Sequence, residues 1–403
     1  MLELYRKKLH NHLFSAAAPP RIAVLTASST LSRRRWRQNK VLDRTPHTDH
    51  SDCVCLIGAR RRSAPRLYKK EEMMKIVSIF NNKGGVGKTT YMFHVAHLMA
   101  EHGKTVLMVD ADAQCNLSAY CLSDSELEKA WNATRGNSIW RAVEDVYKGV
   151  GDIRKRQPTT VSSGSGNLYL IPGDVLLSNF EDSLGDTWSS AKGGAEPALR
   201  VQSALYRYII WCTEKVNADV VMLDLGPNLG ALNRAVLGAS DYFIIPMSPD
   251  LFSIRGTENL GNKLVVWNKE WGQCHEAWSG DGLALPPGKP KFLGYVMQQH
   301  NIRQSPAGMT KGWSIFGNRV ENAVKANVVE KLAPNDQAIE WDDGTWNLGK
   351  IPNLHSLIPY SQEARKPVFY CTSQDGLKGA HISTARDSKA LFKPIVDTLL
   401  DVV

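Results

Sequence analysis

KIVSIFNNKGGVGKTT, residues Lys75 to Thr90, decides the fold. Lys75 to Phe80 is a short β-branched and apolar run of the kind that lies inside a parallel sheet, where both faces of a strand are covered. A turn carrying Gly84, Gly85 and Gly87 follows, and from about Thr90 to His102 the apolar positions recur at helical spacing until Gly103 ends the run. A strand, a glycine turn and a helix in that order form an anion cradle. The turn's backbone N–H groups and the positive end of the helix dipole converge on one point, where a phosphate chain fits. Lys88 is placed to bridge the β- and γ-phosphates, and the Thr89 hydroxyl to coordinate Mg²⁺. The ordinary pattern has Gly where Asn82 stands, so the strand before and the helix after carry the assignment.

Outward from this stretch the same alternation continues. Thr105 to Val109 reads as a second strand with Asp110 and Asp112 at its end, and further strands read at Leu168 to Ile171, Asp219 to Leu223, Tyr242 to Ile245 and Lys291 to Met297. Helical windows lie between them, including a long one from about Ser123 to Val150 and another from Phe252 to about Glu270. Thr159 to Gly166 reads as a Ser/Gly-rich surface loop, and the Trp- and Gly-containing segment up to Pro290 as a surface excursion. Strands and helices alternating at this length imply an α/β, doubly wound, mostly parallel sheet flanked by helices, with ligands at the strand C-termini. Residues 74–403 then form one domain, with insertions near 118–165, 268–290 and 310–352.

Charge is distributed unevenly. The 403 residues carry a formal +9, yet residues 1–70 hold 16 Lys and Arg against 4 Asp and Glu, which leaves the remainder slightly acidic. Basic clusters at Arg33-Arg34-Arg35-Trp36-Arg37 and Arg60-Arg61-Arg62 show no period of 3.6 or 2, so residues 1–73 read as unfolded. They fit a translated leader ahead of a true start at Met73 or Met74, with a nucleic-acid-binding arm and a targeting peptide as the alternatives. The basic pI is therefore weak evidence for DNA binding by the body. Seven cysteines, none in a C-x-x-C pair, indicate neither a zinc site nor a disulfide framework, and no apolar run reaches the ~20 residues of a membrane-spanning helix.

Lys83-Gly84-Gly85-Val86-Gly87-Lys88-Thr89-Thr90 resembles the deviant Walker A of the ParA/MinD family, in which a second lysine, here Lys83, precedes the glycines. Val109 to Asn116 is similar to that family's D-x-D-x-Q-x-N switch, Leu168 to Pro172 to its L-x-x-I-P, and Val220 to Gly230 (VVMLDLGPNLG) to its Walker B. The resemblance implies an ATPase that hydrolyses ATP to ADP and phosphate with Mg²⁺. The nucleotide lies on Lys83 to Thr90, the metal is held by Thr89, Asp110 and Asp224, and Asp112 positions the attacking water. Lys83, Lys88 and Asp112 are then the catalytic residues, and Gly226 to Gly230 can serve as a γ-phosphate-sensing loop. Looser matches place Gln298 and Pro359, the latter in an I-P…K-P-V pattern running from Ile358 to Val368, near the adenine.

The same resemblance implies an ATP-held homodimer in which Lys83 reaches the partner's nucleotide. It also implies nonspecific DNA binding, a partner protein that stimulates hydrolysis, a cytoplasmic or nucleoid location, and a role in plasmid or chromosome partition. Lys311, Arg319, Lys325, Lys331, Arg365, Lys366 and Lys378 are candidates for phosphate-backbone contacts. Two alternatives stay open: a membrane-sited regulator of the MinD type, and a specialised relative in a mobile element or defence system. Pro394 and the two aspartates of the C-terminal segment weigh against the first.

Overall fold

A computed structural model describes residues 74–161, 167–300, 319–354 and 356–402. The basic stretch 1–73, the loop residues 162–166 and Lys311 lie outside them. The frame is an eight-stranded sheet: β1 (Lys75–Ile79), β2 (Val106–Ala111), β3 (Thr159–Thr160), β4 (Leu168–Ile171), β5 (Val220–Leu225), β6 (Tyr242–Met247), β7 (Lys291–His300) and β8 (Asn347–Pro352). Their order is β3-β4-β2-β5-β1-β6-β7-β8. Every pairing is parallel except that of β3 with β4. The chain builds outward to one side of β1 through β2 and β4, returns to insert β5, and then builds to the other side through β6, β7 and β8. The reversal opens a crevice at the C-terminal end of β1, and the glycine turn follows β1 directly.

Alternation along the strands feeds two cores. On β2, Leu107 and Val109 face the layer formed by helices Ile139–Tyr147, Leu177–Asp186, Glu196–Val216, Ala231–Gly238 and Leu251–Ala277. Val106 and Met108 face helix Lys88–Glu101 and the C-terminal helix Lys389–Val402. Burial on both faces is why these strands read as unbroken apolar runs. In the C-terminal helix Phe392, Ile395, Val396 and Leu399 are buried, so its apolar side is spent on the body of the protein.

Several local expectations need correction. The helical window from Ser123 to Val150 is broken into Asp124–Trp131 and Ile139–Tyr147, with Asn116–Cys121 ahead of them. Ser123 and Glu126 cap one start reciprocally, and the Ser138 hydroxyl accepts from the Arg141 N–H at 3.4 Å at the other. Thr159 and Thr160, expected in a loop, pair antiparallel with β4. The long helix runs past Glu270 to Ala277, and the segment after it is not a simple surface excursion. Leu283 and Trp278 pack on Trp271, and the Gly288 N–H donates to the Gly238 carbonyl at 2.8 Å. Strand β8, inside the expected insertion 310–352, was not read at all. It is an edge strand that buries Leu348 and Ile351 alone and includes Gly349 and Lys350, so it lacks the apolar run of its neighbours.

Candidate functional site

The turn after β1 folds as the cradle requires. Gly85 and Gly87 adopt left-handed backbone, with φ of 71° and 81°, and Gly87 caps the helix that opens with Lys88. A cleft of about 370 Å³ lies above it, lined by the glycines, Lys88, Thr89 and Thr90 on one side and by Asp112, Gln114, Asn116 and Pro227 on the other. Lys88 is buried. Burial lowers the pKa of its ammonium, while the neighbouring carboxylates of Asp224 and Asp112 pull the other way.

Two aspartates face each other across the β2–β5 ladder, Asp110 opposite Asp224. Burial, reinforced by the negative charge of Asp110, pushes Asp224 up to about 8; burial raises Asp110 to about 6. Their hydrogen bonds separate their roles. Asp224 Oδ2 accepts from the Thr89 hydroxyl at 2.6 Å, while its buried Oδ1 has no partner. A buried carboxylate oxygen left unpaired beside a hydroxyl and a phosphate cradle fits a metal-water shell, since Mg²⁺ keeps most of its waters and takes few protein oxygens. Asp110, expected among the metal-holding residues, is turned elsewhere. Its Oδ2 accepts from the Ser118 N–H at 2.8 Å and the Ser118 hydroxyl at 2.7 Å, and its Oδ1 from the Asp112 N–H at 3.3 Å. It fastens helix Asn116–Cys121 and the turn bearing Asp112. Asp112 Oδ1 accepts from the Gln114 N–H at 3.0 Å, and the carboxylate borders the cleft next to Gly226.

Comparison with known proteins agrees with this geometry. Residues 74–272 match the family described as an AAA domain. The sporulation initiation inhibitor protein Soj of Bacillus subtilis is 32% identical over 198 residues, which span 49% of this chain and 67% of Soj. The chain belongs to the ParA/MinD family of P-loop ATPases. A putative replication protein A of Rhizobium rhizogenes is 30% identical over 260 residues, 62% of this chain and 57% of that protein, so the chain spans little more than half of this relative. A crystal structure of protein DIP2308 from Corynebacterium diphtheriae superposes with a TM-score of 0.58 at 27% identity, covering 72% of this chain and 97% of that one.

Within this ParA/MinD-type frame the remaining candidates fall into place or move. Lys83, the extra lysine, forms an ion pair with Asp250, the N-cap of helix Leu251–Ala277, and its N–H donates to Asn81 Oδ1 at 2.9 Å. Gln298 is expected near the adenine. Its side chain clamps the P-loop: with the amide oriented by its neighbours, the nitrogen donates to the Val86 carbonyl at 2.9 Å and the Gly87 carbonyl at 3.3 Å. A Cβ on Gly87 would run into this amide, a second reason for glycine there. Gln298 also borders a small pocket of about 70 Å³ between Gly87, Thr90, Tyr91, Ile351 and Pro352. Pro359 does not line either cleft; it is exposed in the first turn of helix Ile358–Ala364. Both residues of a second Ile-Pro pair, Ile351-Pro352 at the end of β8, line the small pocket beside the P-loop, which Ile358 also borders. Two such pairs stand seven residues apart, and only a strand before the first tells them apart.

Lys366-Pro367-Val368 docks on the P-loop helix. The Val368 N–H donates to His94 Nε2 at 3.0 Å, and the ring's Nδ1 bonds the Thr90 carbonyl at 2.7 Å. Burial depresses His94 to about 4 and keeps it neutral, as one ring nitrogen that accepts and one that donates require. Of the basic candidates, Lys366 pairs with Asp375 at 2.8 Å and Arg365 Nε donates to the Leu122 carbonyl at 3.0 Å. Lys331 donates to Asn262 Oδ1 at 2.7 Å. Arg319, Lys325 and Lys378 are exposed.

Proposed function

We propose that this chain is an ATP-driven switch that dimerises on binding ATP, associates with nonspecific DNA in that state, and resets by hydrolysis when a partner protein stimulates it. Plasmid or chromosome partition is the setting, in the cytoplasm or on the nucleoid. The observation that carries the reading is a cleft lined by Lys88 and Thr89 behind a left-handed glycine turn, with the Thr89 hydroxyl bonded to Asp224, whose other carboxylate oxygen is buried and unpaired. In this account the P-loop N–H groups and Lys88 neutralise the phosphates, and Thr89 and Asp224 hold the magnesium shell. When bound there, magnesium would supply charge neutralisation on the phosphates. Asp112, at the cleft wall, orients the attacking water and takes up its proton. Lys83 must leave Asp250 to reach a partner's nucleotide, and both side chains are about a third exposed, so the exchange costs little.

Two observations bear on the membrane-sited alternative. The C-terminal helix buries its apolar side chains in the core, which leaves no free apolar face for a lipid surface. Among the described residues no helix is long and apolar enough to cross a membrane.

ATP turnover and duplex-DNA retention, measured at low and high salt for the wild type and Lys83→Ala, test the proposal. The wild type is expected to hold DNA only with ATP and to lose it as salt rises, because the contacts are to phosphates. Lys83→Ala is expected to bind ATP yet remain monomeric and off DNA. If DNA neither binds the ATP state nor changes turnover, the partition reading falls and the ATPase reading stands.

A further inference from the structure

The loop Gly226 to Gly230 leaves β5 two residues after Asp224 and is wedged between two parts of the cleft. A Cβ on Gly84 of the P-loop would meet Pro227 at 3.9 Å, and a Cβ on Gly226 would meet Asp112 Oδ1 at 3.3 Å. Free loops of five residues with two glycines sample many conformations, so something must fix this one. The fixing group is a single amide. Asn233, buried in the first turn of helix Ala231–Gly238, donates Nδ2 to the Gly226 carbonyl at 2.9 Å, the Asn228 carbonyl at 2.7 Å and Asn228 Oδ1 at 2.8 Å. Asn228 Oδ1 also accepts from the Gly230 N–H at 3.2 Å, which closes the loop on itself. A Cβ at Gly230 would run into the Glu181 carboxylate, so the far end of the loop lies close against that side chain.

We propose that Asn233 is a positioning residue that sets this loop for the third phosphate and so lets the site tell ATP from ADP. The inference rests on the nucleotide-binding reading above. C=O and N–H of a trans peptide point in opposite directions, so an Asn228 carbonyl tied to Asn233 turns the Leu229 N–H away from the helix. The loop therefore keeps one presentation of its backbone beside Asp112 and Asp224. ADP fills the P-loop alone and does not need that presentation, whereas the γ-phosphate lies where the loop, Asp112 and Asp224 meet.

Asn233→Asp tests the assignment, because it keeps the shape of the side chain while replacing the amide donor with a carboxylate oxygen that the loop carbonyls repel. With Mg²⁺, affinities for ADP and for a non-hydrolysable ATP analogue are compared by titration, and kcat and KM for ATP are measured alongside. The expected result is ADP affinity within about twofold of wild type, analogue affinity weakened about tenfold, and kcat lowered by at least as much, the scale of losing one preorganised hydrogen-bond set. Equal weakening for both nucleotides, or no change for either, overturns the proposal. Should Asn233→Asp not fold, Asn228→Ala removes the side-chain amide whose Oδ1 accepts from Asn233 and Gly230 and leaves the Asn233 bonds to the loop carbonyls, and a loss of about threefold confined to the analogue is expected on the same scale. Equal losses or none in that variant likewise overturn it. Wild-type protein without affinity for ADP would instead remove the underlying reading, and that shows before any substitution is made.

Discussion

Lys88→Met is expected to lower the affinity for ATP and ADP alike by about 10²- to 10³-fold, the loss of two charge-assisted contacts at 1.4 kcal/mol per tenfold. Methionine keeps the apolar stem and deletes the charge. In the folded chain the Lys88 ammonium is the positive charge acting on Asp224, whose neighbours Asp110 and Asp112 are both negative. Its loss therefore also leaves three acidic side chains around the cleft without that countercharge, and the melting temperature of the nucleotide-free protein is expected to fall. Isothermal titration checks the first effect and thermal unfolding the second. A variant that binds ADP as tightly as wild type would show that the cradle does not hold phosphate through Lys88.

Asp112→Ala is expected to do the opposite to binding while stopping turnover. The side chain borders the cleft and makes one hydrogen bond within its own turn, to the Gln114 N–H, so its removal leaves the P-loop intact. It also removes a negative charge that opposes ionisation of Asp224, which favours metal binding there. Loss of the group that positions and deprotonates water lowers hydrolysis by about 10²- to 10⁴-fold. The ATP state then persists, and light scattering is expected to show a doubled mass with ATP and a single mass with ADP. A monomer in ATP, or turnover near that of wild type, would contradict the role given to Asp112.

How much of this could be read from the chain alone depends on where each residue lies in the sheet. Strands covered on both faces announce themselves as apolar runs, which is why β1, β2, β4, β5, β6 and β7 were legible with ends displaced by a few residues. β8 and the two-residue β3 lie at the sheet edges, where one side of the strand meets no neighbour and the run breaks up. The P-loop was legible because a phosphate cradle needs glycine at fixed positions and lysine and threonine at the helix start. The strand-end aspartates were legible as a group. Their division of labour was not, since it depends on Ser118, eight residues after Asp110, folding back onto that carboxylate.

Asn233 shows the same limit from the other side. Its one sequence signal is an amide among the apolar residues of ALNRAVLG, and nothing in the sequence says that this amide turns back to collect two loop carbonyls. The contacts of Gln298 and of the pairs Ile351-Pro352 and Ile358-Pro359 are hidden for a related reason. Contacts made across the sheet have no fixed spacing along the chain, so local pattern cannot rank them.

The central claim is that the cleft above Gly84 to Thr90 takes a magnesium-bound triphosphate. Its most direct test is a titration of purified wild-type protein with ATP, with magnesium present and then with magnesium chelated. The account predicts saturable binding that weakens by at least about tenfold without the metal, because Asp224 Oδ1 and the Thr89 hydroxyl lose the shell they would share. Binding that is absent, or that is the same with and without magnesium, contradicts it.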